Sequence, residues 1–161
     1  MSAVRVYIAS ALSQAPRARE YADHLKATGA FTICSGWHDT GDTVDPSDEA
    51  TRRDILVTNL ADLARAQVVL ALMAWGIPRG AHAEIGWSLA MGKPVVWFAS
   101  GDGLGTSLFT AHPLVALVHS HAEVMPQLHR VACDIVAARA RLKSIPPRVD
   151  VESSAKWPVA K

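Results

Sequence analysis

The sequence predicts a doubly wound α/β domain, in which a five-stranded parallel sheet carries helices on both faces. Five short, nearly all-apolar segments alternate along the chain with longer segments in which apolar residues recur at helical spacing. The short segments are apolar almost throughout, which predicts strands with both faces covered. A length of 161 residues and a hydrophobic content of 50% are ordinary for one globular domain with a real core.

The first elements are a strand, a helix and a second strand. Residues 4–9 (VRVYIA) form a β-rich run that is too short to cross a membrane and predicts a buried strand. A helix is predicted over 13–27, because apolar residues recur at helical spacing and Gly29 follows as a stop signal. The second strand is predicted over 31–35, before a polar loop at 36–45.

The rest of the chain repeats this pattern. Asp45-Pro46 predicts a helix start, since proline is favoured at the first helical position, and a break near Asp54 is an alternative. Gly92 closes the next helix before Lys93-Pro94. The remaining predicted elements are helices over 45–66, 81–91 and 121–142, and strands over 68–73, 95–99 and 114–119.

These elements predict a Rossmann- or flavodoxin-like domain over residues 1–144. Residues 145–161 combine prolines with few apolar clusters, so we expect an extended or disordered tail. Ligands of such folds bind beyond the carboxyl ends of the strands. We therefore expect the ligand site among the loops at 9–13, 36–45, 74–80 and 100–107.

The net charge and the cysteine and histidine positions indicate which binding partners, compartment and metal sites to expect. A formal net charge of +1 gives no broad field for a nucleic acid polymer or an anionic membrane, so we expect neither. Cys34 and Cys133 lie far apart in the sequence, which indicates two free thiols in a reducing, cytoplasmic compartment. His119-Ser-His121 lacks a third ligand nearby, and we expect no metal and no cofactor.

Glu84 is the first candidate for chemistry. It is predicted in the first turn of a helix, at the carboxyl end of a central strand, where the helix N-terminus favours an ionised carboxylate. Such a carboxylate can attack or stabilise a sugar carbon that becomes cationic, as cleavage of a glycosidic bond requires. The alternative is an ordinary glutamate that only complements the helix dipole.

Three stretches resemble one family. RGAHAEIGWSLAMGKPVV at 79–96 combines a glycine-containing loop, Glu-x-Gly, an alanine-rich helix and a Gly-Lys-Pro-Val strand entry. VYIAS at 6–10 is similar to the family's opening strand, and NLADLARAQVVLAL at 59–72 to a helix-to-strand segment. In this order they resemble the nucleoside 2-deoxyribosyltransferase-like superfamily, which includes nucleoside deoxyribosyltransferases and nucleoside 5′-monophosphate N-glycosidases, over roughly residues 4–120.

The resemblance implies roles for particular residues. Glu84 falls on the family's nucleophile, and Tyr7 on a tyrosine that positions that carboxylate and the sugar. Asn59 stands where many members have an aspartate that binds the base or protonates it. An amide can bind a base but cannot act as a general acid, so Asp62, one helical turn on, or Asp54 is a possible substitute.

Further candidates line the predicted mouth. Ser10, Ser13 and Arg17 could hold a phosphate, as serines and an arginine after the first strand do in members that act on monophosphates. The alternative for the arginine is the solvated face of the first helix. No serine stands six residues before Glu84, where this chain has Pro78.

Loop residues could complete the pocket. Gly80 lets the backbone approach a ligand closely. His82 could contact the sugar or its phosphate, or be a partly exposed helix-start histidine. Trp37 and Trp75 could stack on a base, or pack under their loops.

Two functional hypotheses follow. The first is an enzyme of N-glycosidic bonds in nucleosides or nucleoside monophosphates, with hydrolysis favoured over base exchange because no transferase-type C-terminal tail is recognised. The second is a module that binds a nucleotide or nucleotide-derived ligand without turnover. A scaffold role has no positive support beyond apolar composition. The resemblance also implies a homodimer or higher homo-oligomer.

Overall fold

A computed structural model describes residues 3–40, 45, 47–75, 79–100 and 107–144, and its architecture is the predicted one. Five parallel strands form one sheet in the order β2-β1-β3-β4-β5. The strands are β1 Val4–Ala9, β2 Phe31–Ile33, β3 Val68–Leu72, β4 Val95–Phe98 and β5 Val115–Val118. The helices are α1 Ala15–Ala27, α2 Trp37–Thr40, α3 Glu49–Arg65, α4 Arg79–Ala90 and α5 His121–Ser144, with 3₁₀ turns at Leu12–Gln14 and Leu108–Ala111.

The strand order creates a switch point between β1 and β3. The chain leaves β1 towards one edge of the sheet and leaves β3 towards the other, so the two connections part above these neighbouring strands. Ligands of open α/β sheets bind in the crevice at such a point. Tyr7 on β1 is in register with Val69 on β3, which places it in the middle of the sheet.

Right-handed crossovers place α3 and α4 on one face of the sheet and α1 and α5 on the other. Side-chain contacts agree with this division. Tyr21 of α1 stacks on His121 of α5, whereas His82 of α4 meets Phe109 of the second 3₁₀ turn. Every residue of β3 is buried, as the apolar run predicted.

The start of α3 differs from the prediction. The helix begins at Glu49, and its N-cap is Asp48, whose carboxylate accepts hydrogen bonds from the Thr51 N–H and hydroxyl. That carboxylate satisfies a backbone donor that the helix start leaves free, which Asp45 cannot do from its position. Asp45 instead accepts from the Ser47 N–H in a turn. The helix continues through Asp54 without a break.

The predicted loop at 36–45 contains a short helix, α2. Trp37 begins it, and its indole N–H donates to the Ile8 carbonyl at 2.8 Å, which ties the segment to β1. Strand β2 is also two residues shorter than predicted, although Cys34 N still donates to Val6 O. Residues 41–44, most of loop 100–107 and the proposed tail 145–161 lie outside the described residues.

The Gly-Lys-Pro segment links α4, α3 and β4. Gly92 has a φ of +67°, a left-handed conformation that ends α4 and favours glycine. Lys93 Nζ then donates to two carbonyls at the end of α3, Ala64 O at 2.8 Å and Ala66 O at 2.5 Å. Within the described ranges, no helix has both the length and the apolar character needed to cross a bilayer.

Candidate active site

A cavity of about 890 Å³ opens at the carboxyl edge of the sheet, on the side of α3 and α4. Its walls come from the segment after β1, from α2, and from one face each of α3 and α4. Six of the residues proposed from the sequence line it: Ser10, Ser13, Trp37, Asn59, Gly80 and Glu84.

Glu84 lies in the second turn of α4, because the helix begins at Arg79, five residues earlier. The predicted first-turn position was therefore wrong, and the helix N-terminus acts on the carboxylate more weakly than expected. The stronger local contact is with Tyr7. The phenol of this fully buried residue donates to Glu84 Oε1 at 2.6 Å.

Asn59 reaches the same carboxylate from α3. Its side-chain Nδ2 donates to Glu84 Oε1 at 3.2 Å. One oxygen of the carboxylate therefore accepts from β1 and from α3, although Glu84 itself belongs to α4. Among the described residues, no hydrogen bond is made to Oε2.

Burial dominates the electrostatics of this group. Desolvation raises the pKa of Glu84 to about 7, and the hydrogen bonds from Tyr7 and Asn59 lower it by less. The carboxyl group is therefore close to the midpoint of its titration at neutral pH, whereas the sequence predicted that the ionised form is favoured. Burial, followed by the nearby Glu84, raises the pKa of Tyr7 far above its ordinary value, so this side chain remains a neutral donor.

Most of the remaining lining is apolar, with one charged group of residues. Apolar walls come from side chains such as Leu12, Ile55 and Trp87. Glu49, Arg52 and Arg53, in the first turns of α3, also line the cavity and were not proposed from the sequence. Helical spacing could have found them, since 49, 52, 53, 56 and 59 share one face of a helix.

Asp62 lies elsewhere than predicted. It is 4% exposed, its Oδ2 accepts from the Gly36 N–H at 3.2 Å, and its Oδ1 pairs with Arg65. It is absent from the cavity walls among the described residues, and its carboxylate is held instead by the loop after β2 and by Arg65. The carboxylate anchors that loop, which gives no support to a role in protonating the base.

Arg17 and Trp75 pair with each other. The guanidinium of Arg17 lies 4.4 Å from the Trp75 ring centroid, and that indole packs against Phe98 and His121. This cluster belongs to the α1 and α5 side of the sheet. His82 meets the ring of Trp97 edge-on. Arg17, Trp75 and His82 do not line the cavity formed by the described residues.

The side chains of Ser10 and Cys34 have structural hydrogen-bond partners. Ser10 Oγ donates to Leu72 O, so this hydroxyl joins the ends of β1 and β3 at the cavity wall. The Cys34 thiol donates to Val6 O, and burial raises its pKa to about 11, which disfavours a thiolate. The described residues contain no group of three or more acidic, histidine or cysteine side chains arranged to hold a metal.

Comparison with known proteins identifies the family. The nucleoside 2-deoxyribosyltransferase family model matches residues 6–117. A solved structure, the Clostridium botulinum CMP N-glycosidase BcmB, is similar in fold with a TM-score of 0.52 and 14% identity, covering 79% of this chain and 98% of that one. No curated protein sequence matches significantly. Because the family match spans well over half of the sequence, the chain belongs to the nucleoside 2-deoxyribosyltransferase family.

Proposed function

We propose that the protein cleaves or exchanges the N-glycosidic bond of nucleosides or nucleotides, with Glu84 as its nucleophile. The observation that carries the proposal is the 2.6 Å hydrogen bond from the fully buried Tyr7, which does not itself line the cavity, to Glu84, which does. A buried carboxylate with one oxygen held by a neutral donor suits attack on the anomeric carbon of a sugar.

The proposed reaction has two displacements. A carboxylate oxygen of Glu84 bonds to C1′ while the bond from C1′ to the base nitrogen breaks, and the electron pair leaves with the base, which takes up a proton. Water then attacks C1′, gives up a proton, and releases the sugar and the carboxylate. A second base in place of water would complete a transfer.

The pKa of Glu84 predicts the pH dependence of this reaction. Attack requires the ionised carboxylate, and burial raises the pKa to about 7. We therefore expect kcat/KM to fall tenfold for each pH unit below about 7, since that parameter reports the free enzyme. A pH–rate profile measured from pH 5 to 9 tests this.

A binding module without turnover is the second candidate. The observation that favours it is the amide at position 59, combined with the engagement of Asp62 by Gly36 and Arg65, which leaves neither residue suited to protonate a base. Such a module would gain thermal stability from a nucleotide without forming product.

One experiment separates the two candidates. A panel of nucleosides and nucleoside 5′-monophosphates is incubated with the protein, with and without a free acceptor base, and released base is quantified. The enzyme proposal expects release that is lost in Glu84→Gln and retained in Glu49→Gln, a control from the same cavity wall. A ligand-induced rise in Tm with no base released by the wild type would favour the binding module.

We also propose a homodimer or higher homo-oligomer, joined through the exposed apolar face of α3 and α4. Large exposed apolar side chains lie four residues apart in each segment: Leu56 and Leu60 on α3, and Trp87 on α4 with Met91 directly after its end. Leu56 and Trp87 also line the cavity, so an interface on this face would reach the mouth of the site. Patches of this kind mark protein contacts.

Light scattering after size exclusion tests the assembly. We expect the wild type to exceed the mass of one chain, and Leu60→Glu to reduce it to that mass because the charge would be buried in the interface. Ala27→Glu, an exposed site at the end of α1 on the other face, is the control. A monomeric wild type at all concentrations would contradict the proposal.

A further inference from the structure

We infer that Asn59 positions the nucleophile: with Tyr7 it holds Glu84 Oε1, and it thereby presents Oε2 as the oxygen that attacks the sugar. The inference rests on the proposed function for its kinetic consequences. It assigns to Asn59 a role that differs from the base contact expected from the sequence.

Convergence of two donors on one oxygen is the main observation. Tyr7 donates to Oε1 at 2.6 Å and Asn59 donates to the same atom at 3.2 Å. The other oxygen accepts no hydrogen bond within the described part of the chain. A carboxylate held in this way has one oxygen fixed by the protein and one available to a ligand in the cavity that Glu84 lines.

Three separate secondary-structure elements fix the position of the Glu84 carboxylate. Tyr7 comes from β1, Asn59 from α3 and Glu84 from α4, so the carboxylate is fixed relative to the sheet and to both helices on that face. A free glutamate side chain samples several rotamers, and holding it in one orientation keeps the reacting atoms aligned. With the hydrogen bond from Tyr7 alone, the Glu84 carboxylate could rotate more freely about that hydrogen bond.

The amide at position 59 suits this role better than an acid would. An aspartate there would bring a second carboxylate within hydrogen-bond distance of Oε1, and like charges at that separation disfavour ionisation of the pair. The neutral amide donates without that repulsion and favours the ionised form of Glu84. Asn59 therefore supports the nucleophile at the position where the resemblance implies an aspartate that serves the base.

Two roles for Asn59 can be separated by varying the base. If Asn59 contacts the base, its removal should affect substrates unequally, because bases differ in their edge groups. If it positions Glu84, kcat should fall by one common factor for all bases, with KM nearly unchanged. The loss of one hydrogen bond to a charged group corresponds to a fall of roughly ten- to a hundredfold.

The test combines kinetics with a direct titration of Glu84. Asn59→Ala and the similarly sized Asn59→Leu are compared with Thr58→Ala, an exposed neighbour on α3. The pKa of Glu84 is read from its ¹³C carboxyl shift in the intact protein, which needs no turnover, with Glu84→Gln assigning the signal. We expect both Asn59 variants to raise the pKa of Glu84 and to shift the acidic limb of the kcat/KM profile to higher pH by the same amount. Thr58→Ala should change neither quantity.

Asn59→Asp supplies the opposing test. If residue 59 positions Glu84, this variant should have lower activity at neutral pH, and the acidic limb of its kcat/KM profile should lie at still higher pH. If residue 59 instead serves to protonate the base, the acid should raise activity. An unchanged Glu84 titration in Asn59→Ala and Asn59→Leu, a loss that depends on the base, or a gain in Asn59→Asp would overturn the inference. If the wild type releases no base, the proposed function fails, and the titration alone still decides whether Asn59 holds the carboxylate.

Discussion

The buried carboxyl group of Glu84 lowers the stability of the fold at the pH where a nucleophile must be ionised. Burial raises its pKa from the ordinary value of 4.5 to about 7, so the folded chain keeps a proton that the unfolded chain releases between those values. The free energy of unfolding therefore falls as the pH rises through this window. Reactive sites commonly trade stability for function in this way.

Glu84→Gln should remove that penalty. The amide is neutral at every pH, and its oxygen can still accept from Tyr7. We expect the variant to exceed the wild type by about 2–3 kcal/mol in free energy of unfolding at pH 8.5, and by little at pH 4.5. Urea denaturation at the two pH values measures this, and an equal difference at both would show that burial does not oppose ionisation here.

Tyr7→Phe should make ionisation of Glu84 harder. The phenol is the closer of its two donors, at 2.6 Å, and its hydrogen bond lowers the pKa of the carboxyl group. Without it the acidic limb of kcat/KM should move above pH 7, and kcat should fall roughly ten- to a hundredfold. Tyr21→Phe is the matched control, because the other tyrosine pairs with His121 on the opposite face of the sheet. A normal profile in Tyr7→Phe would remove Tyr7 from the mechanism.

At the scale of the elements, local signals predicted the strands better than the helix starts. The apolar runs fixed β1, β3 and β4 to within a residue or two, because a strand buried on both faces has little freedom in composition. The predicted start of α3 was wrong because both Asp45-Pro46 and Asp48 are typical of helix N-termini. Only the folded structure determines which aspartate accepts from a free backbone N–H. The helix at 37–40 follows from burial of Trp37, a tertiary effect that local sequence does not contain.

Lys93 links the segment after α4 to the end of α3, a contact that was not predicted from the sequence. Its ammonium donates to the Ala64 and Ala66 carbonyls at the end of α3, where the helix dipole favours a cation. Lys93→Met should keep the aliphatic packing, lose these charge-assisted bonds, and cost about 1–2 kcal/mol of stability in urea denaturation. Lys26→Met, near the exposed end of α1, should stay within about 0.5 kcal/mol, and an equal cost for both would contradict the capping role.

For the whole molecule, the sequence predicted the fold class and the family, and both are confirmed. The cavity gathers residues that are far apart in sequence but near the carboxyl ends of β1 and β3, which the parallel topology alone implies for Ser10, Gly80 and Glu84. Side-chain partners could not be predicted in the same way. Asp62 and Arg17 have suitable chemistry, but their contacts with Gly36 and Trp75 depend on the orientation of each helix.

Covalent trapping tests directly whether Glu84 attacks the sugar. The protein is incubated with 2-deoxy-2-fluoro nucleosides and their 5′-monophosphates, whose fluorine slows release of the sugar from the enzyme, and is then analysed by intact-mass and peptide mass spectrometry. If Glu84 is the nucleophile, we expect one fluorosugar added per chain, on the peptide that contains Glu84, and no adduct in Glu84→Gln. Release of base from natural substrates by Glu84→Gln at the wild-type rate, or an adduct on another residue, would contradict it.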